Sequence, residues 1–216
     1  MRNNSSTDPR RRNLATFQAP NLALVEGPDE FDFIHFLTRR EDLQIHVYEG
    51  KNQLRLEIKT IERIAGFDQV KKIIVLRDSD NDPSAALASV LSQWSDALKQ
   101  KAPGGIQAGD WFTDETGRSW CVWLMPDANS PGDLETLLWR SVQPSDHTGC
   151  IDDFLRCLTN CAPVPIGTES KARLYSWLAT QREPFKQLHW AFSERENLFD
   201  PADRVFADLV QLLGSL

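Results

Sequence analysis

The sequence lacks the features that mark secreted or membrane proteins. Its 216 residues include only four cysteines, and their spacing does not suggest a dense disulfide framework. No hydrophobic run approaches the roughly 20 residues that a transmembrane helix needs. Residues 1–12 contain no apolar stretch typical of a signal peptide. We therefore expect a cytoplasmic protein that does not contact membranes.

Two further absences concern the partners of the protein. The formal net charge is −7, so a generally basic surface for nucleic acid is not supported, although a local basic groove or contact through bound metal remains open. The chain has no Gly-x-x-x-x-Gly-Lys phosphate-binding loop and therefore encodes no ATPase module. The balance of hydrophobic and charged residues, 41% and 25%, is ordinary for a globular protein.

What the sequence does contain is an alternation of apolar strands and amphipathic helices. Short apolar runs predict buried strands at residues 21–25, 45–48 and 73–76. Helical spacing of apolar residues follows each strand, at 29–40, 54–65 and 83–98. A hairpin of residues 111–112 and 119–124 and a helix at 133–142 come next. This order is typical of a parallel α/β sheet.

The two ends of the chain differ from this central part. Residues 1–20 are polar and contain Arg10, Arg11 and Arg12, which predicts a disordered tail. Residues 21–142 form the predicted α/β domain. Residues 143–216 form a predicted helical extension packed on it, with helices at 151–161, 170–181 and 201–213. The last helix is expected to have Asp200 as its cap and Pro201 in its first turn.

Cysteine and histidine positions do not suggest a zinc site. Cys150, Cys157 and Cys161 share one helical face with Phe154, which predicts core packing rather than metal binding. The four histidines have no mutual spacing that indicates a metal site or a catalytic triad. We expect His35 and His46 at or near the surface.

Acidic residues follow two of the predicted strands. Glu26 comes directly after the first strand, and Asp78 and Asp80 come at the end of the third. In a parallel sheet, ligands bind at the edge formed by the carboxyl ends of the strands. Because residues i and i+2 of an extended chain point the same way, we predict that both aspartates grip one divalent cation and that Glu26 faces them. The alternative is that the aspartates only stabilise a turn and cap a helix.

This pattern resembles the Toprim domain over about residues 21–140. Topoisomerases, bacterial primases, the 5S ribosomal RNA maturase and the OLD-type nucleases share that domain. Its signature is a glutamate after the first strand, here Glu26 before Gly27, and an Asp-x-Asp after a later strand, here residues 78–80. The resemblance implies a Toprim-like (Rossmann-like) parallel sheet flanked by helices, with a helical C-terminal extension.

A narrower resemblance is to small standalone Toprim proteins of unassigned function that are related to the OLD-type group. It rests on Met125-Pro126, on residues 132–138 and on residues 171–177. OLD-type nucleases have a two-metal site completed by further acids and assisted by a downstream lysine. By position, the implied catalytic residues are Glu26 and Lys171. The implied metal ligands are Glu26, Glu30, Asp78, Asp80 and Glu135.

The cofactors implied by this resemblance are Mg²⁺ or Mn²⁺, in two ions about 4 Å apart that activate water and stabilise the leaving oxygen. Asp127 and Asn129 are at another strand end and can either reach this site or serve the loop structure, with Ser130 and Asp133 as helix caps. Arg77 departs from the small or apolar residue often found before Asp-x-Asp. It is expected either to contact phosphate or to pair with a nearby acid.

The sequence therefore predicts a Mg²⁺-dependent nuclease, or a nuclease-like phosphoryl-transfer protein, that acts on DNA or RNA. The alternative is a non-catalytic regulatory Toprim module that binds nucleic acid or a nucleotide and works with a partner protein such as an ATPase. The acidic net charge and the absent ATPase motif motivate that alternative. Primer synthesis is a third hypothesis, disfavoured because no zinc-binding or helicase-docking region is visible.

Overall fold

A five-stranded, mostly parallel sheet forms the centre of the computed structural model, which describes residues 16–161, 166–181, 188–192 and 198–216. The strand order is β2-β1-β3-β5-β4, and every pair is parallel except β4 with β5. The predicted Rossmann-like α/β class is therefore confirmed. The strands are β1 (Asn21–Val25), β2 (Leu43–Val47), β3 (Lys72–Asp78), β4 (Trp111–Thr113) and β5 (Ser119–Met125).

Helices cover both faces of the sheet. They are α1 (Pro28–Thr38), α2 (Leu54–Ile61), α3 (Pro83–Leu98), α4 (Leu134–Ser141), α5 (Asp146–Cys161), α6 (Ile166–Ala179) and α7 (Ala207–Gly214). Short 3₁₀ turns occupy Phe67–Gln69, Leu188–Phe192 and Arg204–Phe206. Within the described ranges, no helix has the length and apolar character needed to cross a bilayer.

The central strand β3 separates two hydrophobic cores. Ile74 and Leu76 face the core formed with α1, α4, α6 and α7, whereas Ile73 and Val75 face the core formed with α2 and α3. All four side chains are at most 1% exposed. Burial on both faces explains why this strand reads as a continuous apolar run rather than an alternating one.

The path of the chain creates a crevice between β1 and β3. From β1 the chain crosses through α1 to β2, and α2 then leads it back to β3 on the other side of β1. Ligands of open α/β sheets bind at such a reversal of strand order, outside the carboxyl ends of the strands. The predicted adjacency of the strands that precede Glu26 and Asp78 is confirmed, since Leu24 pairs with Val75 in parallel register.

The helical extension shares a core with the sheet. Leu174 and Leu178 of α6 and Leu209 of α7 are at most 1% exposed and belong to the same core as Ile74. The predicted helix 201–213 begins later, at Ala207. A 3₁₀ turn precedes it because Asp203 accepts a hydrogen bond from the Val205 amide, and Asp200 binds the Ala202 amide instead of capping a helix.

Two sequence predictions about side-chain placement are wrong. Cys150, Cys157, Cys161 and Phe154 lie on an exposed face of α5, whereas the buried apolar residues of this helix are Ile151 and Leu155, on another face. The helix contacts α6. His46 is 4% exposed rather than at the surface, with its Nε2 2.6 Å from the Glu57 carboxylate. The regular spacing of Phe154 and the cysteines in α5 therefore corresponds to a solvent-exposed face of the helix. His46 is buried beside the acidic side chain of Glu57.

Residues 16–20, just before β1, pack on the rest of the domain. Phe17 is 2% exposed and its amide donates to the Ala65 carbonyl at 2.8 Å, while Thr16 bridges the same residue. Residues 16–20 therefore belong to the folded domain, and the prediction of a disordered tail is wrong for them. Residues 1–15, which include the three arginines, lie outside the described residues.

Replacing Gly66 by alanine is expected to destabilise the protein more than the same change at Gly105. Both glycines have positive φ, +85° and +80°, so both variants carry the strain of a left-handed alanine, about 1–2 kcal/mol. At Gly66, however, the new Cβ would lie 2.2 Å from the Phe17 carbonyl oxygen, whereas at Gly105 nothing lies within 4 Å. Urea unfolding should show Gly66→Ala losing about 1–3 kcal/mol more than Gly105→Ala. Equal losses would contradict the close approach of Phe17.

Candidate metal centre

Three of the predicted metal ligands lie at the crevice between β1 and β3 because of the sheet topology. Glu26 follows β1 and is one-fifth exposed, and Asp78 is the last residue of β3. Glu30 lies in the first turn of α1, where the helix macrodipole favours an acid. The carboxylate of Glu30 lies close to Gly27: a Cβ added to that glycine would be 2.9 Å from Glu30 Oε2.

Glu135 reaches the crevice from the neighbouring strand β5. That strand leads through a loop to α4, whose N-terminus is capped by Asp133 accepting from the Thr136 amide at 2.9 Å. Glu135 is only 5% exposed. The α4 backbone also approaches β3 directly, because the Leu134 amide donates to Asp78 Oδ1 at 3.1 Å. The structure thus brings Glu135 to the same sheet edge as Asp78.

Asp80 departs from the predicted arrangement. The extended backbone ends at Asp78, and Asp80 has a φ of 51°. The loop after β5 fixes this turn, since the Gly132 amide donates to the Asp80 carbonyl at 2.6 Å and the Ser79 hydroxyl donates to the Ser130 carbonyl at 2.8 Å. The prediction that two extended aspartates point the same way is therefore wrong in its geometry.

Three of the five predicted ligands have a basic partner. Lys51 Nζ lies 2.5 Å from Asp80 Oδ2, and Arg77 Nε lies 3.7 Å from Glu26 Oε2. Lys171 Nζ, in the second turn of α6, lies 3.4 Å from Glu135 Oε1. The helix begins at Ile166, four residues before the predicted start, so Lys171 is not a helix-start residue. Among the described residues, Glu30 and Asp78 have no basic side chain within ion-pair distance.

Of the five candidate ligands, the two that have no basic partner among the described residues, Asp78 and Glu30, have the largest pKa shifts. Burial raises the pKa of Asp78 to about 9, and the charges of Glu30 and Glu135 add to this effect. Burial also raises the pKa of Glu30 to about 7, with smaller contributions from Asp29 and Glu135. For Glu26 and Glu135, burial raises the pKa, but Arg77 and Lys171 respectively oppose it. The charges of Glu26, Glu30 and Glu135 all act on Asp78, whereas that of Asp80 acts on Glu26.

The cluster carries more acidic than basic side chains. With Asp133, whose charge also acts on Asp78 and Glu135, six carboxylates face three basic side chains, an excess that favours a bound cation. The raised pKa values of Asp78 and Glu30 favour protonation of these two carboxyls, which reduces the excess. The side-chain oxygens that this cluster offers are all carboxylate oxygens, which Mg²⁺ and Mn²⁺ prefer. The type of side chain suits a metal better than the distances between the side chains do. Within the described ranges, no three acidic, histidine or cysteine side chains lie close enough together to form a metal-binding group.

Asp127 has a structural position in the loop after β5. It accepts hydrogen bonds from the Asn129 and Ser130 amides, both at 2.8 Å, and from Arg140 at 2.6 Å. The Arg140 and amide hydrogen bonds lower the pKa of Asp127 to about 2 although partial burial opposes this. Of the two roles open to Asp127 from sequence, the structure favours the one in the loop.

Lys51 is the residue near the candidate metal centre that the sequence reasoning missed. It lies in the loop after β2, and the carboxyl end of β2 is on the same sheet edge as those of β1 and β3. The sequence signal was available, since Glu49, Gly50 and Lys51 follow an apolar strand in the same way as Glu26 follows β1.

A cleft of about 260 Å³ opens beside the carboxylates. Its lining includes Asp80, Asp133 and Thr136 on the sheet side and Ser170 and Arg173 on α6. The Ser170 hydroxyl donates to Asp133 at 2.6 Å, which joins α6 to the cap of α4. The cleft therefore gives a solvent-accessible approach to Asp80 between the sheet and the helical extension.

Comparison with known sequence families gives one match. Residues 20–216 match the family described as protein of unknown function, DUF3226. The chain belongs to the DUF3226 family. The match includes every residue of the carboxylate cluster and continues through α6 and α7, so the DUF3226 unit comprises the sheet and the helical extension together. No curated protein and no solved structure matches the chain.

The metal-free protein is expected to lose stability as the pH rises from about 4 to about 9. In this range the unfolded chain releases the protons of Asp78 and Glu30, whose ordinary pKa values are 3.8 and 4.5, while the folded protein retains them. Stability falls with pH wherever the folded state binds more protons. The stabilisation is complete below the ordinary pKa values, and the Glu30 part is lost by about pH 7 and the Asp78 part by about pH 9.

Thermal unfolding in EDTA across this pH range measures the effect. Asp78→Asn should flatten the pH dependence, because the neutral amide has no proton to release. Added Mg²⁺ should raise the melting temperature most at high pH, where the carboxylates are ionised. A wild-type profile that is flat or that rises from pH 5 to pH 8 would argue against buried, mutually repelling acids at the sheet edge.

Proposed function

We propose that this protein is a Mg²⁺- or Mn²⁺-dependent nuclease, or a closely related phosphoryl-transfer enzyme, that acts on DNA or RNA through a Toprim-like carboxylate site. The observation that supports the proposal is the excess negative charge at the crevice between β1 and β3. No basic side chain in the described part of the chain pairs with Asp78 or Glu30 there, and burial raises the pKa of each. A cluster of this kind is costly for folding alone, and perturbed acids in a cleft favour a functional site.

The proposed roles follow from where each side chain lies. The ligands for one or two ions are Glu26, Glu30, Asp78, Asp80 and Glu135. When bound, the ions would lower the pKa of a water molecule and stabilise the charge of the leaving oxygen. We assign Glu26 the role of general base because its carboxylate is one-fifth exposed at this edge; its Oε2 faces Arg77 Nε at 3.7 Å and makes no hydrogen bond within the described residues. Lys171 forms an ion pair with Glu135, and its side chain is more than half exposed. From this position its ammonium can stabilise negative charge on a phosphate.

The proposal is tested with the full chain, metal and three kinds of nucleic acid. Titration calorimetry with Mn²⁺ should show binding that disappears when the acids are replaced. Incubation with plasmid DNA, single-stranded DNA and structured RNA should show cleavage that needs Mg²⁺ or Mn²⁺ and stops with EDTA. If no substrate is cleaved and no carboxylate-dependent metal binding is found, the proposal is wrong.

A second candidate function is a non-catalytic regulatory module that binds nucleic acid or a nucleotide and works with a partner such as an ATPase. It is favoured by the absence, among the described residues, of three ligands already arranged to hold an ion. In this case Asp78→Ala should leave binding of the nucleic acid or the partner protein intact. Loss of all binding in that variant would count against a module that does not use the carboxylates.

A further inference from the structure

The loop between β2 and α2 holds the backbone of Lys51 firmly at the edge of the carboxylate cluster. The Lys51 carbonyl accepts from Arg77 Nη1 at 3.2 Å and from Gln93 Nε2 at 2.9 Å. The preceding Gly50 amide donates to the Glu26 carbonyl at 3.2 Å. Contacts from β3, α3 and the end of β1 thus fix this backbone from three directions. The position of the Lys51 Cα relative to the acids is built into the fold.

The side chain of Lys51 is much less constrained. Its Nζ makes one ion pair, with Asp80, and both side chains are 47% exposed. An exposed ion pair is weak because water and salt screen it. The ammonium is also carried on a flexible four-carbon stem. Arg77 provides the contrast, since its side chain is 5% exposed and its guanidinium is held by the Lys51 carbonyl. The backbone of Lys51 is therefore fixed by the fold, whereas the contact of its ammonium is an exposed ion pair.

We propose that Lys51 is an exchangeable counter-ion of the site: it pairs with Asp80 in the metal-free protein, and a divalent cation at Asp80 releases its ammonium to bind the phosphate of the nucleic acid. A divalent ion and the ammonium repel each other, so a metal bound to Asp80 weakens the ion pair of that carboxylate with Lys51. The released ammonium remains within a side-chain length of the metal, where a phosphodiester bound to that metal presents anionic oxygens. This inference rests on the proposed function and adds to it a substrate-contacting residue.

Lys51→Met tests both halves of the exchange, because methionine keeps the apolar stem and removes the charge. Calorimetry with Mn²⁺ alone should show metal binding about two- to fivefold tighter than in the wild type, which corresponds to the loss of one exposed ion pair. Binding of labelled single-stranded DNA and RNA oligonucleotides, measured in Ca²⁺ to prevent cleavage, should weaken by about tenfold or more. These opposite changes are not expected from a loss of loop structure, which would weaken both.

Lys71→Met is the matched control. Lys71 is also an exposed lysine beside β3, but it precedes the strand and its Nζ donates to the Asp68 carbonyl, at the opposite edge of the sheet. This variant should bind Mn²⁺ and both oligonucleotides as the wild type does. Lys51→Arg should retain most of the oligonucleotide affinity because it retains the positive charge.

The outcomes separate this inference from the proposed function. If the wild type binds Mn²⁺ through the carboxylates but Lys51→Met leaves either the metal affinity or the oligonucleotide affinity unchanged, the exchange is wrong and the proposed function stands. If the wild type shows no carboxylate-dependent metal binding, the proposed function and the exchange are both wrong. Tighter metal binding combined with weaker oligonucleotide binding in Lys51→Met supports the exchange.

Discussion

Asp78→Asn should abolish nucleic-acid cleavage and weaken Mn²⁺ binding by at least about 100-fold, since even residues that only support metal ligands contribute 10- to 100-fold. Asp78 lies at the carboxyl end of the central strand, and the charges of Glu30, Glu135 and Glu26 all act on it. Asparagine has nearly the same shape but removes the negative charge that binds a hard cation. Calorimetry with Mn²⁺ and cleavage of plasmid and RNA substrates measure the two effects.

The fold of Asp78→Asn should be retained or stabilised. Asp78 Oδ1 accepts from the Leu134 amide at 3.1 Å, and the amide oxygen of asparagine can accept the same bond. The metal-free variant should also resist alkaline pH better, because burial of a charged carboxylate is relieved. A variant that loses activity together with its melting transition would instead indicate a structural role.

Asp127→Asn is the matched control for this prediction. Asp127 also follows a parallel strand at the same sheet edge, but its carboxylate is engaged by Arg140 and by two loop amides. We expect Mn²⁺ binding and cleavage to remain within about twofold of the wild type, with a stability loss of about 1 kcal/mol. If Asp127→Asn eliminates metal binding as Asp78→Asn does, the metal site extends into the loop after β5 and its ligand set must be revised.

The sequence predicted the fold well because local patterns and topology agreed. The apolar runs at β1 and β3 are buried on both faces, and Pro83 after Asp82 begins α3 where predicted, with Asp82 accepting from the Ala85 amide at 3.0 Å. The prediction was wrong where one sequence pattern was compatible with two structures. In α5, the helical spacing of Phe154 and the cysteines was apolar, but spacing alone does not reveal which face of a helix meets the core.

The candidate site was predictable only as a set of acids. The strand ends placed Glu26 and Asp78 at one edge, because the carboxyl ends of parallel strands meet there. The basic partners were not predictable: Lys51 and Lys171 arrive from distant segments, and their pairing depends on loop and helix packing. The turn at Asp80 was also hidden, because it depends on a backbone hydrogen bond from Gly132, fifty-two residues away. Contacts between residues this far apart in the sequence depend on the tertiary fold and are not visible in local sequence patterns.

Arg77→Ala should lower the free energy of unfolding by about 3 kcal/mol. Arg77 is 4% exposed, its Nε lies 3.7 Å from Glu26 Oε2, and its Nη1 donates to the Lys51 carbonyl. Removing one partner of a buried ion pair costs about 3–5 kcal/mol because the other charge stays buried without compensation. The lower end applies here, since Glu26 is one-fifth exposed. Urea unfolding at neutral pH, without metal, measures the change.

The double variant Arg77→Met with Glu26→Gln should recover most of this loss, because removing both charges together removes the uncompensated one. The pair of measurements also decides between the two roles open to Arg77 from sequence. A phosphate-contacting arginine would lower nucleic-acid affinity in Arg77→Ala with little change in stability. An arginine that pairs with Glu26 would lower stability, and the double variant would restore it. The burial of Arg77 beside Glu26 favours the second outcome, and recovery below about 1 kcal/mol would argue against it.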